Sequence, residues 1–228
     1  MKWKTQAKGR KKCAAGFSLL EVLVVIAVMS VVAAMAIPTW LRMQKNARLN
    51  GDAHNISSTL SVAKMRAAAN FTESRVFFFR GTDKTQYFRI DVWNKTANTG
   101  GTGCWVPDAV ANPGPSDCIS DSSYKRSETF LSTGVSAGYG SVSASPDTTV
   151  TLGQAASCWT GQTTPTSTTG ATAISNTSCI QFNSRGFPTA SGAFYVTDGT
   201  RVFSAMTNSM GFIHTYVTTD NGSTWARQ

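Results

Sequence analysis

The chain has 228 residues, enough for one ordinary domain with an appendage and too few for two full-sized domains. Apolar residues make up 41% of it, so the composition excludes wholesale disorder. Of the formal net charge of +9, most comes from residues 1–16, which carry six Lys or Arg and no acid. The remainder has fifteen basic and twelve acidic residues. The charge therefore belongs to a short leader and does not by itself indicate a nucleic-acid partner.

An apolar stretch follows the leader. FSLLEVLVVIAVMSVVAAMAI (17–37) contains one charged residue, Glu21. As a helix it would span about 31 Å, close to the hydrocarbon thickness of a bilayer. It is longer than the apolar core of a secretory signal peptide, roughly 7–15 residues, and lacks a clear small-residue cleavage stretch. We therefore predict a membrane anchor, with the basic leader in the cytoplasm and the chain beyond about residue 40 outside.

Glu21 is the anomaly of this stretch. A carboxylate inside an apolar helix costs on the order of 2–3 kcal/mol or more near the bilayer centre. No basic residue lies within the stretch, so the partner is expected to be another chain, a lipid headgroup or a newly made amine. A cut between Gly16 and Phe17 would create that amine four residues away. The alternative is that Glu21 lies at the membrane interface and is solvated.

The residues KKCAAGFSLLEVLVV (11–25) resemble the class III signal of type IV prepilins. The resemblance implies that a prepilin peptidase cuts after Gly16 on the cytoplasmic face and that the new amine of Phe17 is N-methylated. It also implies that Glu21 meets the N-terminal amine of a neighbouring subunit during assembly. Pro38 matches a helix-softening proline of many pilins, and it can kink the helix because it removes one backbone donor.

Beyond Pro38 the pattern predicts an amphipathic continuation over residues 38–70. Apolar residues recur in steps of four and three, which defines one stripe: Leu49, Ala53, Ile56, Leu60, Ala63 and Ala67. Polar residues are placed largely off it: Arg48, Asp52, Asn55, Thr59 and Arg66. Gly51 weakens the helix by about 1 kcal/mol, so a bend is expected there. We predict one helix from about 17 to 69, its first half in lipid and its second half on a sheet.

Strand patterns follow, and they place the chain in the α+β class with a β-rich head over 71–228. RVFFFR (75–80) is a short apolar run, and QYFRIDVW (86–93) alternates between two faces. Asp198-Gly199 predicts a hairpin, and FIHTYVTT (212–219) a further strand before the turn 220–222. A Ser/Thr/Gly-rich insert over about 94–178 predicts long loops with short strands at 129–135 and 148–152.

Two further segments resemble the GspH/FimT pseudopilins: TLSVAKMRAAANFTESRVFFF (59–79) and CIQFNSRGFPTASGAFYVTDGTRVFSAMTNSMGFIHTYV (179–217). The resemblance implies a pilin-like fold, one long N-terminal helix packed on an antiparallel sheet. It implies an inner-membrane subunit with a periplasmic head that assembles into, or caps, a type IV pilus or a type II secretion pseudopilus. Implied partners are other pilins, the prepilin peptidase/N-methyltransferase and an inner-membrane assembly platform. Nothing is carried over onto the insert.

Five cysteines are present, and Cys13 lies in the leader. The other four (Cys104, Cys118, Cys158 and Cys179) form an even set without a Cys-x-x-Cys clip or a nearby His, so a zinc site has little support. An even set in an exported domain favours disulfides. Of three connectivities, Cys104–Cys118 with Cys158–Cys179 closes the shortest loops, and each bridge could add about 3 kcal/mol. Free thiols and a metal site are the alternatives.

The sequence provides no catalytic constellation. His54 and His214 lack ligand or nucleophile–base spacing, and nucleotide-binding and GxSxG motifs are missing. We therefore predict no enzyme, no cofactor and no metal. Minor pilins of the resembled family can act as DNA receptors, and basic residues do cluster here: Arg66, Arg75, Arg80, Lys84, Arg89, Lys95 and Lys125-Arg126.

Acids interleave with these cations and would weaken a phosphate-binding track: Glu73, Asp83, Asp91 and Glu128. A solvated surface is therefore favoured over a nucleic-acid interface. A DNA-receptor pilin and a plain membrane-anchored binding module stay as alternatives to the assembly subunit.

Overall fold

The computed structural model describes residues 18–82, 85–97, 102–110, 114–120, 127–218 and 224–228. Contacts divide the chain into two units, one ending at Met43 and one from Gln44 to Gln228. We call the second the C-terminal unit. The predicted turn at 220–222, together with Gly16, Phe17, Asp83, Lys84 and Lys125-Arg126, lies outside the described residues.

One helix, α1, runs from Leu19 to Ala69 and confirms the predicted single helix. It continues through Pro38 and Gly51 without interruption. Its end is a left-handed turn at Phe71 (φ 49°), after which the amide of Thr72 donates to the carbonyl of Ala67. This hydrogen bond satisfies one carbonyl that the helix end would otherwise leave open.

The second half of α1 buries a stripe of side chains within the C-terminal unit. All six residues predicted for the apolar stripe are buried there. The prediction was wrong for Asp52, which is also buried and only 4% exposed. Asp52 lies three residues after Leu49 and four before Ile56, so its position belongs to the buried face.

Twelve antiparallel strands follow in the part of the chain that the structure describes, which confirms the α+β class. Their bounds are β1 Ser74–Phe79, β2 Tyr87–Asn94, β3 Cys104–Pro107, β4 Thr129–Phe130, β5 Ser136–Ala137, β6 Trp159–Thr160, β7 Thr172–Ala173, β8 Thr177–Phe182, β9 Gly192–Thr197, β10 Val202–Thr207, β11 Ile213–Thr218 and β12 Trp225–Arg227. The first sheet has the order β3-β2-β1-β8, with β4 also paired to β2; the second has the order β12-β11-β10-β9-β5, and β6 pairs with β7 alone. A short 3₁₀ helix covers Pro115–Asp117.

The main core lies between the helix stripe and the inner faces of both sheets. The first sheet contributes Phe78 and Phe88 among others, and the second contributes Phe194 and Phe203. The rings of Phe78 and Phe194 meet edge to face with centroids 5.2 Å apart, which joins the two sheets directly. One face of α1 therefore organises both sheets.

The insert covers the outer faces of the sheets instead of forming open loops. Over the first sheet, Trp105, Ile119 and Ile174 pack with Phe77 and Tyr87 in a second apolar cluster. Over the second sheet, a third cluster combines insert residues with strand residues: Val142, Val150, Ala193, Tyr195, Val202 and Met206. Much of the insert is thus a third layer of the C-terminal unit.

Of the two strand predictions in the insert, the one at 129–135 was too long and the one at 148–152 was wrong. Of 129–135, only Thr129–Phe130 is a strand, because the amide of Ser132 donates to Asp52 and that of Val135 closes a turn onto Ser132. Residues 148–152 form no strand. There the amide of Thr149 donates to the Asp147 carboxylate, which makes a turn in place of a ladder.

The predicted Asp198-Gly199 hairpin is confirmed, and it joins β9 to β10 with Thr197 opposite Val202. One Asp198 oxygen accepts hydrogen bonds from the amides of Thr200 and Arg201, both 2.8 Å long. Partial burial acts to raise the pKa of Asp198, but these hydrogen bonds outweigh it and hold the pKa below its usual value. The turn therefore favours the ionised carboxylate.

Two other turns share the sequence pattern NSxGF and the same hydrogen bonds: NSRGF (183–187) and NSMGF (208–212). In each, the Asn side chain accepts from the amides two and four residues on, and the Gly amide donates to the Asn carbonyl. Gly186 (φ 79°) and Gly211 (φ 78°) take the left-handed position that this turn requires. Both turns contact α1 at Lys64. The Nζ of Lys64 donates to the carbonyl of Gly211, and the backbone and side chain of Lys64 lie next to Gly186.

Replacing Gly186 by Ala should therefore destabilise the C-terminal unit through two effects. The left-handed conformation costs about 1–2 kcal/mol for a residue with a Cβ. That Cβ would also lie 3.2 Å from the carbonyl oxygen of Lys64. Gly199→Ala is the matched control, since its φ is 85° but nothing lies within 4 Å. Urea unfolding should show the larger loss for Gly186→Ala; equal losses would contradict the close contact with the helix.

Candidate assembly site

The first half of α1 is apolar on every side. From Leu19 to Met43 the large apolar side chains are between 46% and 83% exposed. A helix that is apolar all round needs an apolar environment, either a protein core or lipid. Among the described residues, α1 is the helix long and apolar enough to cross a membrane, and none of its apolar window is buried.

Glu21 lies in the first turn of this helix. Its amide donates to the carbonyl of Ser18, and its side chain is exposed. An acid at this position interacts favourably with the positive end of the helix dipole. Val24 and Val25 lie one turn further along the same side of the helix, and both are apolar and exposed. No ion pair joins Glu21 to any part of the chain that the structure describes, so its charge is available to a cation from elsewhere.

The hydroxyl groups of this segment are satisfied within the helix. Ser30 donates to the carbonyl of Ile26 at 2.8 Å, and Thr39 to that of Met35 at 3.3 Å. Such internal hydrogen bonds let polar side chains lie at membrane depth without exposing a donor. Pro38 lies inside the helix, and its missing N–H leaves the carbonyl of Ala34 without its helical donor.

Residues 11–37 match the family model of the prokaryotic N-terminal methylation motif. The match covers the end of the basic leader, Gly16, Phe17, Glu21 and most of the apolar segment. It supports a type IV pilin-like protein with a class III signal. No curated protein and no solved structure matches the chain. The motif is typical of a structural pilin and not of an enzyme, and with the apolar helix it is consistent with membrane anchoring.

Both disulfides link neighbouring cysteines in the sequence. Cys104 is joined to Cys118, and Cys158 to Cys179. The first closes the loop after β3, where the amide of Ile119 donates to the carbonyl of Trp105. The second ties the segment before β6 to β8. Each bridge therefore fastens part of the insert to the first sheet.

The two histidines lie apart. His54 is exposed on α1, whereas the Nδ1 of His214 on β11 is 2.8 Å from a guanidinium nitrogen of Arg227. In the described parts of the chain, no three His, Cys, Asp or Glu side chains group as metal ligands.

The basic residues that cluster in the sequence do not form one exposed basic surface in the structure. Arg75 and Arg89 are each 2% exposed, so the prediction of a solvated surface was wrong for both. Their charges meet the carboxylate of Asp91, which is fully buried: Nε of Arg75 lies 3.0 Å from Oδ2, and Nε of Arg89 lies 2.9 Å from Oδ1. The strand register brings Arg75 close to Asp91, because the two residues are directly opposite each other on β1 and β2.

Aromatic rings and an outer acid complete this buried cluster. The guanidinium carbon of Arg75 lies 4.4 Å from the ring centroid of Trp105, and that of Arg89 lies 4.4 Å from that of Phe77. Glu128 approaches Arg89 at 3.8 Å. Burial lowers the pKa of Arg75 to about 10, while Asp91 opposes that effect, so the side chain stays charged at neutral pH. A signal existed in the sequence: alternation puts Arg89 and Asp91 on the same strand face as Tyr87 and Trp93.

Removing the shared acid should cost far more than removing a surface acid. Asp91→Ala would leave two buried cations without their carboxylate, a loss of about 3–5 kcal/mol. Asp108→Ala is the control, because its pair with Arg66 is partly exposed and worth at most about 1 kcal/mol. Urea unfolding of the C-terminal unit would compare them. Similar losses for the two variants would show that the buried cluster does not hold the sheet.

Asp52 joins α1 to the loop after β4. Its carboxylate accepts from the amide of Ser132 at 2.8 Å and from the Ser132 hydroxyl at 3.0 Å. Arg48, one turn earlier, donates to the carbonyl of Thr133. Burial raises the pKa of Asp52 above 3.8, although both hydrogen bonds from Ser132 act to lower it. The folded state therefore binds a proton here more readily than the unfolded chain does.

The sign of this shift gives a pH dependence. The contribution of Asp52 to stability is fully present below the unfolded pKa and is lost as the pH rises through the raised folded pKa. Asp52→Asn keeps an acceptor for Ser132 and cannot ionise, so its stability should depend less on pH between about 4 and 7. Thermal unfolding across that range measures this. Asp52→Ala, which lacks the acceptor, should be the least stable; superimposable profiles for wild type and Asp52→Asn would contradict the prediction.

Proposed function

We propose that the protein is a minor pilin or pseudopilin of the GspH/FimT type, a structural subunit of a type IV pilus or of a type II secretion pseudopilus. The observation that carries the proposal is one carboxylate, Glu21, in the first turn of an all-round apolar helix that matches the methylation motif. The resemblance of residues 59–79 and 179–217 to GspH/FimT sequences supports the finer assignment.

In this proposal, the newly made subunit is first a single-pass protein of the inner membrane. The basic leader lies in the cytoplasm and the C-terminal unit in the periplasm, as the positive-inside rule indicates. A prepilin peptidase cuts after Gly16, and the new amine of Phe17 is N-methylated. The remaining helix then serves as anchor and, after extraction, as the part that packs in the filament.

During assembly, α1 exchanges its contacts with lipid for contacts with neighbouring helices. Lipid tails and neighbouring apolar helices are similar environments, so packing against a helix costs little transfer free energy. Glu21 adds direction, because a charge that is expensive alone becomes favourable beside the terminal amine of a neighbour. Assembly also needs an inner-membrane platform and a separate motor, since the sequence contains no P-loop motif.

The structure gives less support to the DNA-receptor alternative. Arg75 and Arg89 are buried against Asp91, and Arg66 pairs with Asp108. Three of the cations that suggested a phosphate track are therefore already paired within the chain. The structural subunit is the function that these residues favour.

Glu21→Ala should block incorporation without blocking cleavage. Loss of the pairing energy, roughly 1.4 kcal/mol or more, corresponds to a decrease of at least about tenfold in filament-associated protein. The measurement is the ratio of the subunit in sheared filaments to that in membranes. Ser30→Ala is the control, because that hydroxyl is bonded only to its own helix.

The mass of the N-terminal peptide distinguishes an error in the pairing role of Glu21 from an error in the proposed processing. Both variants should begin at Phe17 and carry the added methyl group by mass spectrometry. Normal incorporation of Glu21→Ala with a processed N-terminus would refute the pairing role. A wild-type protein that begins at Met1 would refute the processing and with it the proposed function.

A further inference from the structure

The β6–β7 hairpin carries a short segment, TTPTSTT (163–169), which we call the threonine tip. All five of its threonines are exposed, whereas the Pro and the Ser are half-buried. No charged residue occurs between Asp147 and Arg185. Charged side chains favour the solubility of a protein surface, so this part of the chain depends on other groups for its hydration.

Hydrogen bonds from two glutamine side chains hold the backbone of the threonine tip in one conformation. Gln162, 7% exposed, donates through its amide nitrogen to the carbonyls of Pro165 (2.8 Å) and Ser167 (3.0 Å). Its side-chain oxygen accepts from the indole of Trp105 at 2.7 Å. Gln181 on β8 reaches the same Pro165 carbonyl, and the Cys158–Cys179 bridge fastens the base of the hairpin. The backbone is thus anchored through buried amides, and the threonine side chains are left outside.

The threonine hydroxyls of the tip differ from the Ser167 hydroxyl, which accepts from the amide of Thr169. Within the described residues, no hydrogen-bond partner is found for the hydroxyls of Thr163, Thr164, Thr166, Thr168 and Thr169. Threonines in other turns behave differently, since Thr149 and Thr200 donate to Asp147 and Asp198. Neither turn geometry nor packing therefore explains why threonine recurs at the tip.

We propose that the threonine tip is a site of O-linked glycosylation. Exposed runs of Ser and Thr around a Pro are the composition that O-glycans occupy. In the reaction, a threonine Oγ1 attacks the anomeric carbon of a phosphate-activated sugar. A C–O bond forms, the bond from sugar to phosphate breaks, and the hydroxyl proton passes to the transferase. The sugars supply the hydration that the uncharged surface lacks.

The inference rests on the proposed function, because it requires an exported C-terminal unit that meets a glycosyltransferase. The test is mass spectrometry of the full-length protein purified from the organism that encodes it. The tryptic peptide containing 163–169 should carry excess mass in sugar increments, and β-elimination should remove that mass. An unmodified tip, or an increment equal to phosphate, would overturn the inference.

A variant pair sharpens the assignment. One variant carries Thr163→Val, Thr164→Val, Thr166→Val, Thr168→Val and Thr169→Val, and it should lose the excess mass. The control carries Thr149→Val and Thr200→Val, whose hydroxyls are already bonded, and it should keep the mass. If the first variant does not fold, mapping of the wild-type peptide decides alone.

The N-terminal peptide from the same digest reports the proposed function separately. A start at Phe17 with a bare tip refutes the glycosylation only. A start at Met1 with a glycosylated tip refutes the processing while the inference stands.

Discussion

The single helix α1 has two different kinds of surface, an exposed apolar first half and a second half that buries one stripe of side chains. The rest of the structure depends on that change along the helix. From Leu19 to Met43, large exposed apolar side chains occur on every side of α1, and Glu21 and Arg42 are the charged residues among them. From Leu49 onward, apolar residues keep to one stripe, and polar residues occupy most of the remaining surface. An α-helix can do both because its backbone hydrogen bonds are internal, so only the side chains need to change. The sheets of the C-terminal unit are built on that stripe.

The insert shows how a chain rich in Ser, Thr and Gly can still form a layer. A few large side chains, among them Trp105, Ile119 and Val150, cover the outer faces of the sheets. Two disulfides and buried amides such as Gln162 fix the loops between them. Few apolar residues suffice because cross-links reduce the entropy lost when such loops become ordered.

Local sequence patterns correctly predicted the features that depend on interactions between residues close in the sequence. The helix stripe, the alternation of β2 and the Asp198-Gly199 hairpin all depend on residues a few positions apart. The pattern missed Asp52 and the pairing of Arg75 with Asp91 because their partners are distant in sequence. Ser132 is eighty residues from Asp52, and the register of two strands, not spacing, brings Arg75 to Asp91. Polar residues on buried faces are therefore where reading by periodicity fails, since periodicity gives the face but not the partner.

Two carboxylates with apolar neighbours, Asp91 and Glu21, are treated in opposite ways in this protein. In the C-terminal unit, Asp91 is fully buried and is neutralised by two arginines of its own chain, so the cost of burial is offset on folding. In the first half of α1, Glu21 has apolar neighbours and no ion pair among the residues the structure describes. A self-contained pair stabilises one subunit, whereas a carboxylate that lacks a partner in its own subunit favours contact with another. Under the proposed function, the burial cost that two arginines offset for Asp91 within the C-terminal unit would be offset for Glu21 by a neighbouring subunit.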